Sequence, residues 1–260
     1  ALWRYWARTN ERVAFPPPDA DDTACCSLAV ACRGDDTRSN VKVLRATAAP
    51  DGRFHTWLIP HARIVDPRSW WVLRDERRPD TRALRQELWT NSEADPDDID
   101  AVVNANVCRY LGPGRAPDGA IRWVVSVVLG SATGTGDKWH RSPYSLWAAV
   151  ADGGARGIGA FAELTPVLLD RIASSPAARG EACDVDTALA LHTVQRCGGP
   201  SALRSALARR LVERQGPDGA WEREVVFFGG PTEVFGWAAE SLVTARAVAA
   251  LAAECSERSG

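Results

Sequence analysis

FPPPDADDTACCSLAV, residues Phe15 to Val30, decides how the rest of the chain is read. Asp19, Asp21 and Asp22 crowd together behind a triple proline and lead into an apolar run. Proline suits the first turn of a helix and cannot continue a preceding one. The spacing therefore predicts a helix start here, with Thr23 to Ala31 helical. Two readings of the acids stay open. One is an ordinary helix cap, worth about 1 kcal/mol. The other is an acid built to donate a proton. A cap needs one carboxylate, whereas crowded carboxylates repel and cannot all ionise, so one of them holds its proton.

Working outward, the apolar spacing is helical over Ile99 to Leu111, Tyr144 to Val150, Val185 to Val194, Ala202 to Val212 and Ala238 to Ala253. Ile121 to Leu129 (IRWVVSVVL) is the strand-like run, short enough to be helical equally well. Gly/Pro turns alternate with these segments, among them Gly112-Pro113-Gly114, Gly198-Gly199-Pro200 and Gly216-Pro217-Asp218-Gly219. No Ser/Gly-rich linker interrupts them. The expectation is one all-α domain over residues 1–260, of roughly ten to twelve helices.

A weak repeat runs through the pattern. DADDTACCSLAV (19–30), DPDDIDAVVNANV (95–107) and CDVDTALALHTV (183–194) each begin with acids and enter a small-residue helix. Asp22-Thr23-Ala24 and Asp186-Thr187-Ala188 share three residue types in order. DGRFHTW (51–57) and DGAWEREVVFF (218–228) both start Asp-Gly and run into aromatics. Helical hairpins with acid-capped inner helices predict an α/α toroid, whose inner helices bury their apolar sides. Their N-termini then converge on one end and make an anion-friendly rim over an apolar cavity.

Composition excludes several function classes. The net charge is −2 and arginines are scattered among acids, which is no nucleic-acid footprint. No run approaches the ~18 apolar residues of a membrane span. The first residues, ALWRYWARTNER, lack the basic start and apolar centre of a signal peptide. Seven cysteines, an odd number with no CxxC spacing, point to reduced, buried thiols in a cytoplasm. His55, His61, His140 and His192 have no metal-binding spacing, so no metal site is expected. Eleven tryptophans against three tyrosines and six phenylalanines fit either a large helical core or an aromatic cavity.

PDADDTA carries a DxDD signature with its DDTA extension, and QGPDGAW resembles a QW repeat. Together they resemble the terpenoid cyclase/prenyltransferase superfamily. The resemblance is to its class II, protonation-initiated cyclases related to squalene-hopene cyclase and bacterial diterpene cyclases. It implies an α/α barrel and cyclisation of a polyprenyl chain through carbocations, as in isoprenoid biosynthesis. It also implies Asp21 as proton donor, with Asp19 and Asp22 as supports. The matching motifs cover about a tenth of the chain. Full class II cyclases have two barrels with the active site between them, and this chain is long enough for one. The resemblance thus implies a second barrel subunit, a homo-oligomer or a compact single-barrel relative, placed in the cytoplasm or peripherally at a membrane. DPDD (95–98) also matches DxDD, and Asp35-Asp36-Thr37-Arg38-Ser39 lacks the last acid of a DDxxD metal motif.

A carbocation route needs an apolar, water-poor cavity with aromatic faces. Trp57, Trp147, Trp221, Phe227, Phe228 and Trp237 are the candidates, each also readable as core. Asn104 and Asn106, polar residues in an apolar helix, must find partners: a ligand, a water or a neighbouring helix end. Trp70 and Trp71 sit in an Arg-rich stretch and shield a rim in this reading. No cofactor is required. Mg2+ enters only if the substrate carries diphosphate, for which Arg122, Lys138 and Arg141 are candidate partners. A non-catalytic module that holds a lipid or a partner subunit is the alternative.

Overall fold

The first helix, α1 (Ala20–Ala31), begins directly after the triple proline. The architecture is that of a computed structural model, which describes residues 2–4, 16–59, 73–130, 137–229 and 236–258. The expected segments at Trp70-Trp71 and His61 lie outside these residues. The chain is mostly helical. It divides into two compact units, Ala1–Val124 and Val125–Gly260. No Ser/Gly-rich linker separates them, because the division falls inside α5 (Asp118–Gly130).

That helix contains the strand-like run. Ala120, Val124 and Val128 are buried, while Arg122, Ser126 and Gly130 are exposed. Both sets repeat every four residues, which is a helix face and not a strand face.

In the first unit, α1 packs against α4 (Ala101–Leu111) and α2 (Arg38–Ala46). Asn40 Nδ2 on α2 donates to Ser27 Oγ on α1 at 2.7 Å, and both residues are buried. α4 is buried on nearly every side, from Ala101 to Leu111, and ends where Gly112 takes φ 74°. α3 (Pro79–Asn91) starts with proline in its first turn and is mostly exposed. The loop around Asp51 lies against the start of α5. A Cβ at Gly119 would sit 1.8 Å from the Asp51 carbonyl oxygen, so only glycine fits there.

The second unit centres on α10 (Asp184–Arg196). It packs against α6 (Pro143–Ala155), α8 (Thr165–Ala173), α11 (Ser201–Glu213) and α12 (Glu240–Arg258). Two short helices, α7 (Gly159–Ala162) and α9 (Pro176–Arg179), join the longer ones. Phe161 of α7 lies so close to α6 that a Cβ at Gly153 would approach its ring to 2.6 Å.

Among the described residues the all-α expectation is broken by one two-stranded sheet. Val225–Phe228 and Gly236–Ala238 form an antiparallel hairpin, β1 and β2, with Phe227 opposite Trp237. The helix expected from Ala238 starts at Glu240 instead, because Ala238 pairs with Val225. The hairpin is tied to the segment before α6 through Phe228 N–H, which donates to the Trp139 carbonyl at 3.0 Å.

Each unit is built on a pair of parallel helices. Asp21 of α1 meets Asn106 of α4, and one turn later Cys25 meets Arg109. Ser142, at the start of α6, meets Asp186 of α10, and ten residues on Asp152 meets His192. Within each unit the two helix N-termini therefore lie at the same end.

Candidate functional site

The acid cluster is held where two helix starts meet one extended segment. Leu58 N–H donates to the Pro18 carbonyl at 2.8 Å, and Ala20 N–H donates to the Thr56 carbonyl at 2.8 Å. This pairs Asp19 with Trp57 as an antiparallel bridge. Thr56 N–H in turn donates to the Asp98 carbonyl at 2.7 Å, just before α4. Residues 56–58 thus fasten the starts of α1 and α4 to each other.

Capping falls to Asp19. Its backbone is extended (φ −115°, ψ 161°), and its Oδ1 accepts from Asp22 N–H at 2.6 Å. Asp22 supplies the N–H that is capped. Asp19 is also the buried member of the trio, 9% exposed. Burial pushes its carboxyl well above the usual carboxylate range. The charges of Asp22 and Asp21 push in the same direction, against the Asp22 N–H bond, which pulls it down. Asp21 points across to α4. Its Oδ1 accepts from Asn106 Nδ2 at 2.7 Å, and the Cys25 thiol lies 3.9 Å from the same oxygen.

The second acid-rich stretch has a different use. Asp95 Oδ1 accepts from Asp97 N–H at 2.8 Å, and Asp98 Oδ2 accepts from Asp95 N–H at 2.8 Å. Asp98 Oδ2 also takes the indole N–H of Trp57 at 3.2 Å, and Asp100 Oδ2 takes the Thr56 hydroxyl at 2.5 Å. These carboxylates hold a turn and brace the 56–58 segment. Asn104 does similar work. Its Oδ1 accepts from Phe54 N–H at 2.8 Å, and its Nδ2 donates to the carbonyls of Phe54 and Asp100, each at 2.9 Å. A fully buried amide here replaces a strand partner for Phe54. Of the two asparagines, Asn106 is the one that donates to the acid trio, and sequence did not separate them.

The aromatic candidates divide between the units. Trp57 lies in the first, buried, its ring 5.7 Å from that of Trp89. Trp147, Trp221, Phe227, Phe228 and Trp237 lie in the second. Trp147 is buried in α6, edge-on to Tyr144 at 5.0 Å. Trp221 is buried after the Gln215–Gly219 turn. Its indole donates to the Leu211 carbonyl at 2.9 Å and its N–H to Thr244 Oγ1 at 3.1 Å. Gln215 Nε2 closes that turn on the Gly219 carbonyl at 2.8 Å. Phe227, Phe228 and Trp237 are half-buried in the hairpin. His140 stands edge-on to Phe227 at 5.0 Å, and the Arg141 guanidinium lies 5.4 Å over Phe228. Arg122 is exposed on α5, and Lys138 is half-buried.

Sequence reasoning missed two groups. One is Cys25 with Arg109, whose Nη2 donates to Cys25 Sγ at 3.4 Å. The other surrounds the repeated Asp-Thr-Ala at the start of α10. Glu224 accepts from Asp184 N–H and Val185 N–H at 2.7 and 2.8 Å, a two-oxygen cap supplied from just before β1. Arg214 pairs with Asp184 at 3.2 Å. Asp186 accepts from Ser142 Oγ at 2.5 Å, and burial is the largest cause raising its carboxyl. The repeat signalled Asp186, but nothing local pointed to Glu224.

The cysteines are free, as expected of reduced thiols, but only Cys108 is buried, and burial pushes its thiol up to about 12. Cys32, Cys183 and Cys255 are exposed, which corrects the expectation of buried thiols. Among the described residues no three His, Cys, Asp or Glu side chains gather as metal ligands. Among them, too, no helix is long and apolar enough to cross a membrane.

The chain is similar to a protein from Actinoplanes seen in a crystal structure. The two share 19% sequence identity at a TM-score of 0.67, over 92% of this chain and 76% of that one. At this identity the likeness concerns the fold alone. No protein-family model and no curated protein matches the chain.

Proposed function

We propose that the chain is a class II terpene cyclase-like enzyme of α/α-toroid build, which starts carbocationic cyclisation of a polyprenyl substrate by protonating it. The observation that carries this reading is Asp19, a buried carboxyl held above the usual range beside Asp21 and Asp22 at the start of α1. Such a group keeps a proton that a solvated carboxyl would have lost. The parallel pairs α1/α4 and α6/α10, each pair with its own two N-termini at one end, are what inner helices of a toroid require.

In this reading Asp21 delivers the proton and Asp19 keeps the cluster charged with one. The Asp21 O–H bond breaks as the alkene π electrons form a C–H bond. A tertiary cation is left on the substrate and the electron pair on the carboxylate. Internal alkenes then attack in turn, and loss of a proton or capture of water ends the sequence. Asn106 orients Asp21, and Trp57 offers an aromatic face beside the cluster. Trp147, Trp221, Phe227, Phe228 and Trp237 are the aromatic candidates of the second unit, taken by themselves. A diphosphate-bearing substrate brings Mg2+ with it. A second barrel subunit or a homo-oligomer completes the site if one barrel is insufficient.

A second reading is supported by the bonds themselves. Asp19 caps a helix, Asp98 and Asp100 brace a loop, and Asn104 clasps Phe54. A non-catalytic toroid that holds a lipid or a partner subunit would use the same acids in this way.

The test is a product assay. The purified chain, Asp21→Asn and Asp19→Asn are incubated with farnesyl diphosphate, geranylgeranyl diphosphate and squalene, and extracts are analysed by mass spectrometry after phosphatase treatment. The cyclase reading expects a cyclised product from the parent and at least a hundredfold loss in Asp21→Asn. Equal turnover by the folded Asp21→Asn chain sinks it.

A further inference from the structure

We infer that Arg109 and Cys25 are positioning residues for Asp21, which keep its Oδ1 as an acceptor and leave Oδ2 to carry the transferable proton. This rests on the cyclase reading above.

α4 addresses the Asp21 side chain from two successive turns. Asn106 donates to Oδ1 directly at 2.7 Å. Arg109, three residues on and so on the same helix face, donates to Cys25 Sγ at 3.4 Å. Cys25 is one turn beyond Asp21 on α1, its thiol 3.9 Å from the same Oδ1. A thiol has one proton to give and lone pairs to accept. With the guanidinium donating to sulfur, the S–H is left to turn toward Asp21. Asn106 and Cys25 thus converge on one oxygen. A protonated carboxyl carries its hydrogen on one oxygen only, and the oxygen that receives two donors is the acceptor. Oδ2 is the one that bears the proton.

After the proton has left, the same groups favour the carboxylate. Arg109 contributes positive charge on the α4 side, at no more than the summed length of the two contacts. A nearby cation lowers the cost of the charged form and makes Asp21 a stronger acid. Opposing charges come from α1 itself, where Asp19 and Asp22 are close, with the Cys26 thiol within reach of all three acids. α2 meets α1 through the neutral Asn40–Ser27 pair. On the 56–58 segment, the Thr56 hydroxyl and the Trp57 indole are turned to Asp100 and Asp98. Arg109 is therefore the cation that answers the acid trio among these contacts.

The experiment is a carbon-13 carboxyl NMR titration of the full chain, with Asp21 assigned by the signal lost in Asp21→Asn. It is run on the parent, Arg109→Gln, Arg109→Lys and Cys25→Ala, each checked by its melting curve. Arg109→Gln is expected to raise the Asp21 midpoint by about one pH unit, and Cys25→Ala by about half as much. Arg109→Lys is expected to stay near the parent. If Arg109→Gln does not fold, Cys25→Ala decides. An Asp21 midpoint that matches the parent in the folded variants overturns the inference. Turnover is scored apart. A parent chain without product counts against the cyclase reading, while the titration still decides the role of Arg109 and Cys25.

Discussion

The indole N–H of Trp57 donates to Asp98 Oδ2 at 3.2 Å, while the backbone of Trp57 bridges to Asp19. One residue therefore joins the acid-rich start of α1 to the acid-rich turn before α4. Trp57→Phe keeps the ring against Trp89 and removes the donor to a buried carboxylate. The expected loss is about 1–3 kcal/mol, read as a lower urea midpoint with an unchanged slope. A variant as stable as the parent would mean that the indole bond contributes nothing net.

Asp19 ties stability to pH. Its folded pKa lies well above the ordinary 3.8, because burial and the neighbouring acids disfavour its charge. Between the unfolded and folded values the folded chain binds more protons, so stability falls as pH rises. The contribution is fully present below the unfolded value and gone above the folded one. Asp19→Asn keeps an oxygen for Asp22 N–H and removes the titration. Its melting temperature should fall less steeply than the parent's from about pH 4 upward, and should exceed the parent's at neutral pH. Parallel melting curves across that range would refute a raised Asp19.

Asn104 and Asn106 should part company. Asn104→Ala strands the buried N–H and carbonyl of Phe54 and costs about 2–4 kcal/mol in chemical unfolding. Asn106→Ala removes one bond to a part-exposed carboxylate and costs about 1 kcal/mol. Activity should follow the opposite order, with the larger loss of turnover per folded molecule in Asn106→Ala. The same ranking in both assays would take Asn106 out of the site.

Trp221 is expected to act through packing. Fully buried, with its indole on the Leu211 carbonyl, it should cost about 3–5 kcal/mol as Trp221→Ala. Gln215→Ala, which opens an exposed turn, should stay within about 1 kcal/mol. Thermal melts of the two variants give the comparison. A mild Trp221→Ala with altered products would instead return Trp221 to the cavity.

Much of the helical plan was legible because it is local. Proline before Asp19, small residues at close-packing positions and glycine at Gly112 act within a turn or two of themselves. α2 and α3 were not foreseen, since RSNVKVLRA and PDTRALRQELWTN show few apolar residues and read as solvated charge. The hairpin was hidden for another reason. Phe227 pairs with Trp237, ten residues away, and aromatic runs of that length fit a loop wall as well as a strand.

By itself the sequence determined the apolar helices, the starts of several of them and that acids crowd at those starts. The tertiary structure alone decided what each acid does. Asp19 is buried because the 56–58 segment folds over it, and Asp21 is not the cap because Asn106, 85 residues away, turns it toward α4. Glu224 caps α10 from 40 residues away. A propensity is a property of a few neighbouring residues. A carboxyl's proton affinity depends on the water it loses and the charges it meets, and distant parts of the chain bring both.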